Sequence, residues 1–305
     1  MKKVTIIFSL FGLLFYSCDR VENAYPKTTT TIDWSLYPGG DSTTYANNGF
    51  WPSFTTNTNT LRNVLIEDYT GHRCPNCPPT ATAVHNTVLT NPTRIFETSV
   101  HSGPTGLGSF QETDATYPEV FYNTASLELG TFFGSQPGTG FFGNPRITIN
   151  RIKTGTDMTT TAASLGTMVP NALATPLKVN IQSAANYFSS TRGVFLHTEV
   201  DVLDNSLTDL GIVVYVVEDS MVAPQTNGPS TNYNYVHRDI LRGTIDGATF
   251  GKTLNSTYLN ANGNYYVNYS YQLPTDLDPD NTHLLIYVYD KVTYEIYQVI
   301  KQYIN

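Results

Sequence analysis

The chain has 305 residues, enough for two domains, and 40% of them are hydrophobic. Only 14% are charged, and 25 acidic against 17 basic residues give a formal net charge of −8. An acidic, lightly charged chain without clustered Lys and Arg excludes binding to a phosphate backbone, so no nucleic-acid partner is expected.

The N-terminus has the pattern of an export signal. A basic pair at residues 2–3 precedes an almost wholly apolar run over residues 4–16, which is shorter than the roughly 20 residues of a membrane-spanning helix. The run ends at Ser17-Cys18, and a small residue before a cysteine resembles the lipobox of bacterial lipoproteins. That resemblance implies that residues 1–17 are removed and that Cys18 is acylated; an ordinary secretory signal is the alternative. We therefore expect contact with the membrane by an N-terminal lipid only.

Residues 18–60 are poor in aliphatic side chains. Their stretches of Thr, Asn and Gly cannot bury much core, so this segment is expected to be a tether or N-terminal extension with local structure. Trp34, Trp51 and Phe54 are the side chains expected to dock on the body.

Residues 61–175 alternate between strand and helix patterns. Strands are predicted at 64–68, 94–101 and 146–151, and helical pieces at 80–89, 114–133 and 159–174. Pro170 is expected to kink or split the last helix. The alternation predicts an α/β domain over these residues.

A Cys-x-x-Cys motif, Cys74 to Cys77, stands between the first strand and the first helix. Unpaired N–H groups at a helix N-terminus and the neighbouring Arg73 favour a thiolate at Cys74. One interpretation is thiol–disulfide exchange, in which Cys74 attacks and Cys77 resolves the mixed disulfide. The other is an inert disulfide inside a binding scaffold, since an exported compartment is oxidising. The residues leave both open.

Zinc is a third interpretation of the same cysteines. Two of the nearby histidines would complete a tetrahedral site, but the usual close histidine pair is missing from the second half-site. No metal and no cofactor are therefore expected. The histidines concerned are His72, His85 and His101.

The pattern changes after residue 175. Short strands separated by turn signals predict an antiparallel, immunoglobulin-like β-sandwich over residues 176–305. The predicted strands cover 177–182, 193–203, 211–218, 265–273, 283–290 and 294–303.

The segment Gly143-Asn144-Pro145 directly precedes the strand predicted at 146–151. Together with the Cys-x-x-Cys motif, it resembles thioredoxin-like proteins, which place a cis-proline there, facing the dithiol. The resemblance implies a thioredoxin-like domain over 61–175 with an insertion at about 103–143. It also implies a buried acid near the dithiol, for which Glu67 is the first choice and Asp68 the other.

A narrower resemblance is to the Omp28-related outer-membrane lipoproteins of Bacteroidetes-type bacteria. It covers roughly residues 61–303 and implies a lipid-anchored envelope protein with a thioredoxin-like domain followed by a β-sandwich. The expected partners are protein thiols or disulfides, or other envelope components, on either the periplasmic or the surface side. The matching segments are 65–71 leading into 74–78, then 144–145 with 150–151, and 236–242.

Overall fold

The structure is a computed structural model and describes residues 32–305. Helices and sheets both contribute, which confirms the predicted mixture of α/β and β structure. The α-helices are α1 (Ser42–Asn47), α2 (Cys77–Thr90), α3 (Thr124–Ser135) and α4 (Leu165–Ala174). The strands are β1 (Val64–Thr70), β2 (Ile95–His101), β3 (Arg146–Ile149), β4 (Val179–Phe188), β5 (Gly193–Val202), β6 (Leu210–Glu218), β7 (Met221–Asn227), β8 (Ser230–His237), β9 (Ile240–Thr244), β10 (Lys252–Thr253), β11 (Tyr265–Gln272), β12 (Thr282–Asp290) and β13 (Ile296–Tyr303).

One mixed sheet runs through the described chain in the order β13-β12-β6-β9-β2-β1-β3, with β10 added beside β6. Strand β1 pairs parallel with β2 and antiparallel with β3. The link between the two halves of the sheet is the parallel contact of β2 with β9 at Ser99 and Ile240. Strands from both sides of residue 175 therefore belong to the same sheet. The division into two domains at residue 175 remains a prediction.

Two smaller sheets complete the architecture. Strands β11, β5 and β4 form a three-stranded antiparallel sheet. Its apolar face packs on alternate residues of β6 and β12, such as Val214 and Ile286. Strands β7 and β8 form a separate two-stranded hairpin.

Both faces of β1 are buried, and its alternate residues point into different cores. Leu65 and Tyr69 pack with α3 and with the inner face of β6 and β12. Val64 and Ile66 face the other way, toward Val84 of α2 and the residues of α4. This division decides on which side of the sheet each polar residue of β1 lies.

The three strands and the helix 80–89 predicted between residues 61 and 175 are confirmed with small shifts of their ends, and the helical pieces predicted over 114–133 reduce to α3, which begins at Thr124. Helix α4 continues through Pro170, so the helix is not split there, and a kink at Pro170 stays a prediction. Residues before the short 3-10 helix Ala162–Ser164 are not helical, because Thr160 forms a β-bridge with Ile147 instead. Among residues 32–305, no helix is long and apolar enough to cross a membrane.

The start of the described chain packs on the three-stranded sheet. Trp34 and Trp51 join a cluster of aromatic rings around Tyr45 and Phe195. Phe54 lies edge-on to Tyr266, with ring centroids 5.9 Å apart. The expected docking of these three aromatic residues is confirmed. The signal segment 1–17 and the acylation site Cys18 lie outside the described residues.

Candidate functional site

Helix α2 begins at Cys77, and Cys74 lies in the turn before it. The two cysteines form a disulfide whose Cα atoms are 5.4 Å apart. Pro78 occupies the first turn of the helix, where a missing N–H breaks no hydrogen bond. The sequence therefore places the disulfide where it was predicted, at the start of a helix that follows a central strand.

Both cysteines are buried, each with only 1% of its surface exposed. The β7–β8 hairpin lies against their turn: the Gln225 amide donates to the carbonyl oxygens of Gly71 and Cys74, at 3.3 and 3.2 Å. Backbone N–H groups of the hairpin also donate to the turn, from Thr226 to the His72 carbonyl at 2.8 Å and from Gly228 to the Pro75 carbonyl at 3.0 Å. The hairpin closes one side of the disulfide.

The segment predicted as an insertion, 103–143, closes another side. The backbone N–H of Arg73 donates to the Phe110 carbonyl at 3.0 Å. The ring Nε2 of His72 lies 2.9 Å from the Glu112 carbonyl. The disulfide turn is thus held between this segment and the hairpin.

The peptide bond between Asn144 and Pro145 is cis, as the sequence predicted. Pro145 precedes β3, and the β1–β3 register pairs Arg146 with Tyr69, so Pro145 stands at the end of β1 that leads to the cysteines. The Gln111 amide donates to the Thr70 carbonyl at 2.7 Å and to the Asn144 side chain at 3.2 Å. This glutamine joins the exit of β1 to the residue before the proline.

Glu67 lies on the α3 face of β1, the face opposite α2. Its carboxylate receives two hydrogen bonds from Arg151, at 2.8 and 2.7 Å, and one each from Thr148 and Tyr215. Burial opposes its ionisation, but the Arg151 guanidinium and these hydrogen bonds outweigh burial and hold the pKa of Glu67 below its usual value. Both carboxylate oxygens of Glu67 therefore have hydrogen-bond partners, and the group forms a buried ion pair with Arg151.

Asp68 lies on the other face of β1, the face that carries α2. Neither carboxylate oxygen has a hydrogen-bond partner among residues 32–305. Burial raises the pKa of Asp68 to about 7. The structure thus separates the two acids that the sequence left as alternatives, and the one beside the helix of the dithiol is Asp68.

A second buried acid, Glu97 of β2, contacts a residue farther along α2. His85 Nδ1 is 2.7 Å from a carboxylate oxygen of Glu97 on β2. Burial, reinforced by the nearby Asp239, raises the pKa of Glu97 to about 9. Glu97 therefore keeps its proton in the folded protein at pH values where the unfolded chain has lost it.

Glu97 predicts a pH-dependent stability. Because its pKa is raised in the folded state, its carboxyl favours folding least at high pH, and stability is lost as pH rises from about 4.5 toward about 9. Glu97→Gln removes this titration. The free energy of unfolding of the variant, relative to that of wild type, should therefore increase by about 1–3 kcal/mol when the pH is raised from 5 to 8. Urea unfolding at the two pH values measures the difference. The same substitution at the exposed Glu119 is the control, and an equal pH dependence for both variants would contradict the assignment.

The zinc interpretation loses its two thiol ligands to the disulfide. His72 and His101 lie near each other, with ring centroids 6.5 Å apart. Within residues 32–305, no three His, Cys, Asp or Glu side chains converge with metal-binding geometry.

Sequence reasoning missed the part of the site that covers the disulfide. The β7–β8 hairpin was not predicted, although Gly228, with a φ of 56°, marks its tight turn. The partners of Glu67 were also missed, because Arg151, Tyr215 and Tyr287 come from three distant parts of the chain.

The protein combines helices with a mixed sheet and carries a buried Cys-x-x-Cys disulfide under a hairpin. The chain belongs to the family described as outer membrane protein Omp28, whose family model matches residues 138–305. The match includes Pro145 and the hairpin, and it begins after the two cysteines. Membership in this family supports an outer-membrane location.

Three solved structures are similar to this chain. HBP35 of Porphyromonas gingivalis is 15% identical, with a TM-score of 0.62 over 81% of this chain and 76% of that one. A domain of the outer membrane lipoprotein Omp28 from Porphyromonas gingivalis is 22% identical, with a TM-score of 0.31 over 42% and 88% of the two chains. Protein AGR_C_4864 from Agrobacterium tumefaciens is 12% identical, with a TM-score of 0.49 over 79% and 94%. At these identities, the likeness to HBP35 concerns the fold alone. A search of curated proteins found no match.

Proposed function

We propose that the protein is a lipid-anchored outer-membrane protein that binds an envelope partner without catalysis, and that its disulfide is structural. In this proposal Cys18 carries the lipid. Residues 61–175 form a thioredoxin-like domain, and residues 176–305 form an immunoglobulin-like sandwich. Support for the first domain comes from the order β1, α2, β2, β3, with β1 central, the disulfide at the start of α2 and the cis peptide before β3.

One observation carries the non-catalytic role: both cysteines are 1% exposed beneath the hairpin. Exchange begins when a thiolate attacks a disulfide sulfur, so a partner must reach the sulfur atoms. Here the hairpin hydrogen-bonds to the carbonyls of Gly71, His72, Cys74 and Pro75, on the turn that a partner would have to approach. An attacking thiol must wait until this contact opens.

The rate of disulfide reduction tests the proposal. Dithiothreitol should reduce the native disulfide at least about 100-fold more slowly than in the guanidinium-unfolded chain, because a local opening of about 3 kcal/mol must come first. Trapping free thiols with a maleimide and weighing the intact protein gives both rates. Gln225→Ala removes two contacts to the turn and should speed native reduction severalfold. Equal rates in the native and unfolded chains would refute the structural role.

Thiol–disulfide exchange is the second candidate, and Asp68 favours it. A buried, unpartnered carboxyl with a pKa of about 7, on the face of β1 that packs against α2, is suited to proton transfer. In this version Cys74 is the attacking thiol, and Asp68 replaces Glu67 as the acid. With dithiothreitol supplied to reduce the Cys74–Cys77 disulfide, insulin reduction faster than with dithiothreitol alone, lost in Asp68→Asn above pH 7 and in Cys74→Ser, would establish it. A Cys77→Ser variant that traps no partner on Cys74 would count against it.

A further inference from the structure

A groove with a volume of about 350 Å³ lies between α2, β2 and the β7–β8 hairpin. Its volume is within the range of about 300–1,000 Å³ that binding sites occupy. The α2 residues that line it are three or four positions apart, so they share one face of the helix. The β2 residues alternate, so they share one face of the strand. These lining residues are Pro78, Ala81, Thr82 and His85 of α2, and Glu97, Ser99 and His101 of β2.

Strand β8 borders this groove with its edge. Tyr235, Val236 and His237 all line the groove, although successive residues of a strand point to opposite faces. Successive residues share one cavity only when the strand lies edge-on to it. The other edge of β8 pairs with β7, and no strand pairs with the groove-side edge within residues 32–305. Backbone N–H and C=O groups on that edge can therefore pair with an added strand.

One end of the groove is closed where the chain leaves β8 and joins the mixed sheet. The N–H of Ser99 donates to the Asp239 carbonyl at 2.8 Å, and its Oγ donates to the Arg238 carbonyl at 2.9 Å. Beyond this point β9 pairs with β2, whereas β8 and β2 are not paired. The groove is thus the gap between two strands that meet only at their ends.

Arg238 stands at this closed end, and its half-buried side chain lines the groove. The guanidinium has no hydrogen bond or ion pair among residues 32–305. Asp219 and Asp239 line a separate cavity, where Asp239 lies 3.5 Å from Nζ of Lys301. The hydrogen-bonding capacity of Arg238 is therefore free for a ligand.

Arg238 is also the one side chain of the lining that is charged at pH 7. Burial raises the pKa of Glu97 to about 9, so this carboxyl keeps its proton. Burial lowers the pKa of all three histidines of the lining, so their rings are neutral: His85, His101 and His237. An unpaired guanidinium in an otherwise neutral groove favours a carboxylate, which it binds through two parallel hydrogen bonds.

We propose that this groove binds an extended peptide as an added strand beside β8, with a carboxylate of the peptide paired to Arg238. The proposal rests on the proposed binding function and deepens it, by giving the envelope partner a chemistry and a place. A peptide parallel to β8 can bring its C-terminal carboxylate to the closed end. An antiparallel peptide can bring only an Asp or Glu side chain there.

Two libraries of fluorescein-labelled octapeptides test the charge requirement, one with free and one with amidated C-termini. Each library fixes one position at a time, and fluorescence anisotropy with the full-length chain measures binding. Preference for the free C-terminus would identify the terminal carboxylate, and selection of Asp or Glu in the amidated library would identify a side chain. Either result supports the site.

Arg238→Gln should weaken binding of the selected peptide by about 10- to 100-fold, the effect of losing a charged hydrogen-bond partner. Arg146→Gln is the matched control, because Arg146 is also half-buried and does not line the groove. The affinity of the control should stay within about twofold of wild type. Ala81→Leu fills the groove from α2 and should abolish binding, which keeps the test valid if Arg238→Gln fails to fold.

N-methylation of the selected peptide tests strand pairing. Alternate N–H groups of an added strand point toward β8, and the others point away from it. Methylating the first set should weaken binding at least about tenfold, and methylating the second set should change it by less than about threefold. Equal losses from both sets would refute pairing with the edge.

Two further results would overturn the proposal. One is the absence of saturable binding by either library, or equal binding by wild type, Arg238→Gln and Ala81→Leu. The other is a wild-type dimer in sedimentation that Ala81→Leu converts to a monomer, with no peptide bound, which would assign the edge to a second copy of the chain. Disulfide reduction rates are measured without peptide, so either failure is distinguishable from failure of the structural-disulfide proposal.

Discussion

Replacing Arg151 with methionine is expected to lower the free energy of unfolding by about 3–5 kcal/mol, because the buried Glu67 carboxylate loses its partner. Both side chains are fully buried, and their ion pair has an N–O distance of 2.7 Å. Arg151 also donates to the hydroxyl groups of Tyr215 and Tyr287, at 2.9 and 3.0 Å. Urea unfolding followed by circular dichroism at pH 7 measures the loss.

Two further variants separate the buried charge from other effects. Replacing Glu67 and Arg151 together with methionine should recover more than half of the loss, because a buried ion pair can be exchanged for apolar side chains of similar volume at little cost. Lys291→Met breaks the half-exposed pair of Lys291 with Asp209 and should cost less than about 1 kcal/mol. A loss below about 1 kcal/mol for Arg151→Met would show that the pair is not needed for stability.

The position of this ion pair explains why the two halves of the chain share a core. Glu67 belongs to β1, while Tyr215 and Tyr287 belong to β6 and β12, beyond residue 175. The hydrogen bonds of Arg151 therefore join strands that lie far apart in sequence. Separating the halves would break these hydrogen bonds and expose to water the apolar residues packed around the pair.

Periodicity was sufficient to predict the strands with strongly buried patterns. Strands β1, β6 and β12 consist mostly of buried Val, Ile, Leu and Tyr, so sequence alone placed them within a few residues. Strands β5 and β11 of the three-stranded sheet were placed to within one residue. The order of the strands in the mixed sheet could not be predicted, because the β2–β9 contact joins Ser99 and Ile240, which are 141 positions apart in the sequence.

The side on which each acid of β1 lies could not be predicted from alternation. Val64 and Ile66 face one core, and Leu65 and Tyr69 face another, so both registers look equally apolar. A strand buried on both faces gives no polar side from which to count. Only the packing of α2 and α3 places Glu67 and Asp68 on opposite sides.

The hairpin over the disulfide was missed because its strands look unlike core strands. Residues of β8 are mostly exposed or half-buried, and β7 contains Pro224 and an irregular register. The Asn227-Gly228 pair between two β-forming segments was a usable hairpin signal. The hairpin covers the disulfide, and this cover helps to decide between a reactive and a structural disulfide. For that choice, the local turn signal was more informative than the Cys-x-x-Cys motif.

Tyr45→Ala is expected to release the N-terminal segment from the three-stranded sheet and to cost about 3–5 kcal/mol, the usual loss for removing a large buried aromatic side chain. Tyr45 is fully buried, and its ring lies 5.2 Å from Phe195 between centroids. Its hydroxyl is 2.8 Å from Nε2 of His197 and accepts from the Asn186 amide at 2.7 Å. The loss should appear both in urea unfolding and as new protease cleavage within residues 32–60.

Tyr45→Phe and Phe54→Ala show which contacts hold the segment. The first keeps the ring but leaves His197 and Asn186 without their shared hydroxyl, which should cost about 1–3 kcal/mol. The second removes a half-buried ring whose partner is Tyr266 and should cost about 1 kcal/mol, because this ring is only partly removed from solvent in the folded protein. If Tyr45→Ala costs no more than Phe54→Ala, or leaves residues 32–60 resistant to protease, the aromatic cluster does not fix this segment to the sheet. A protected segment in Tyr45→Phe with cleavage in Tyr45→Ala would assign the attachment to ring packing rather than to the two hydrogen bonds.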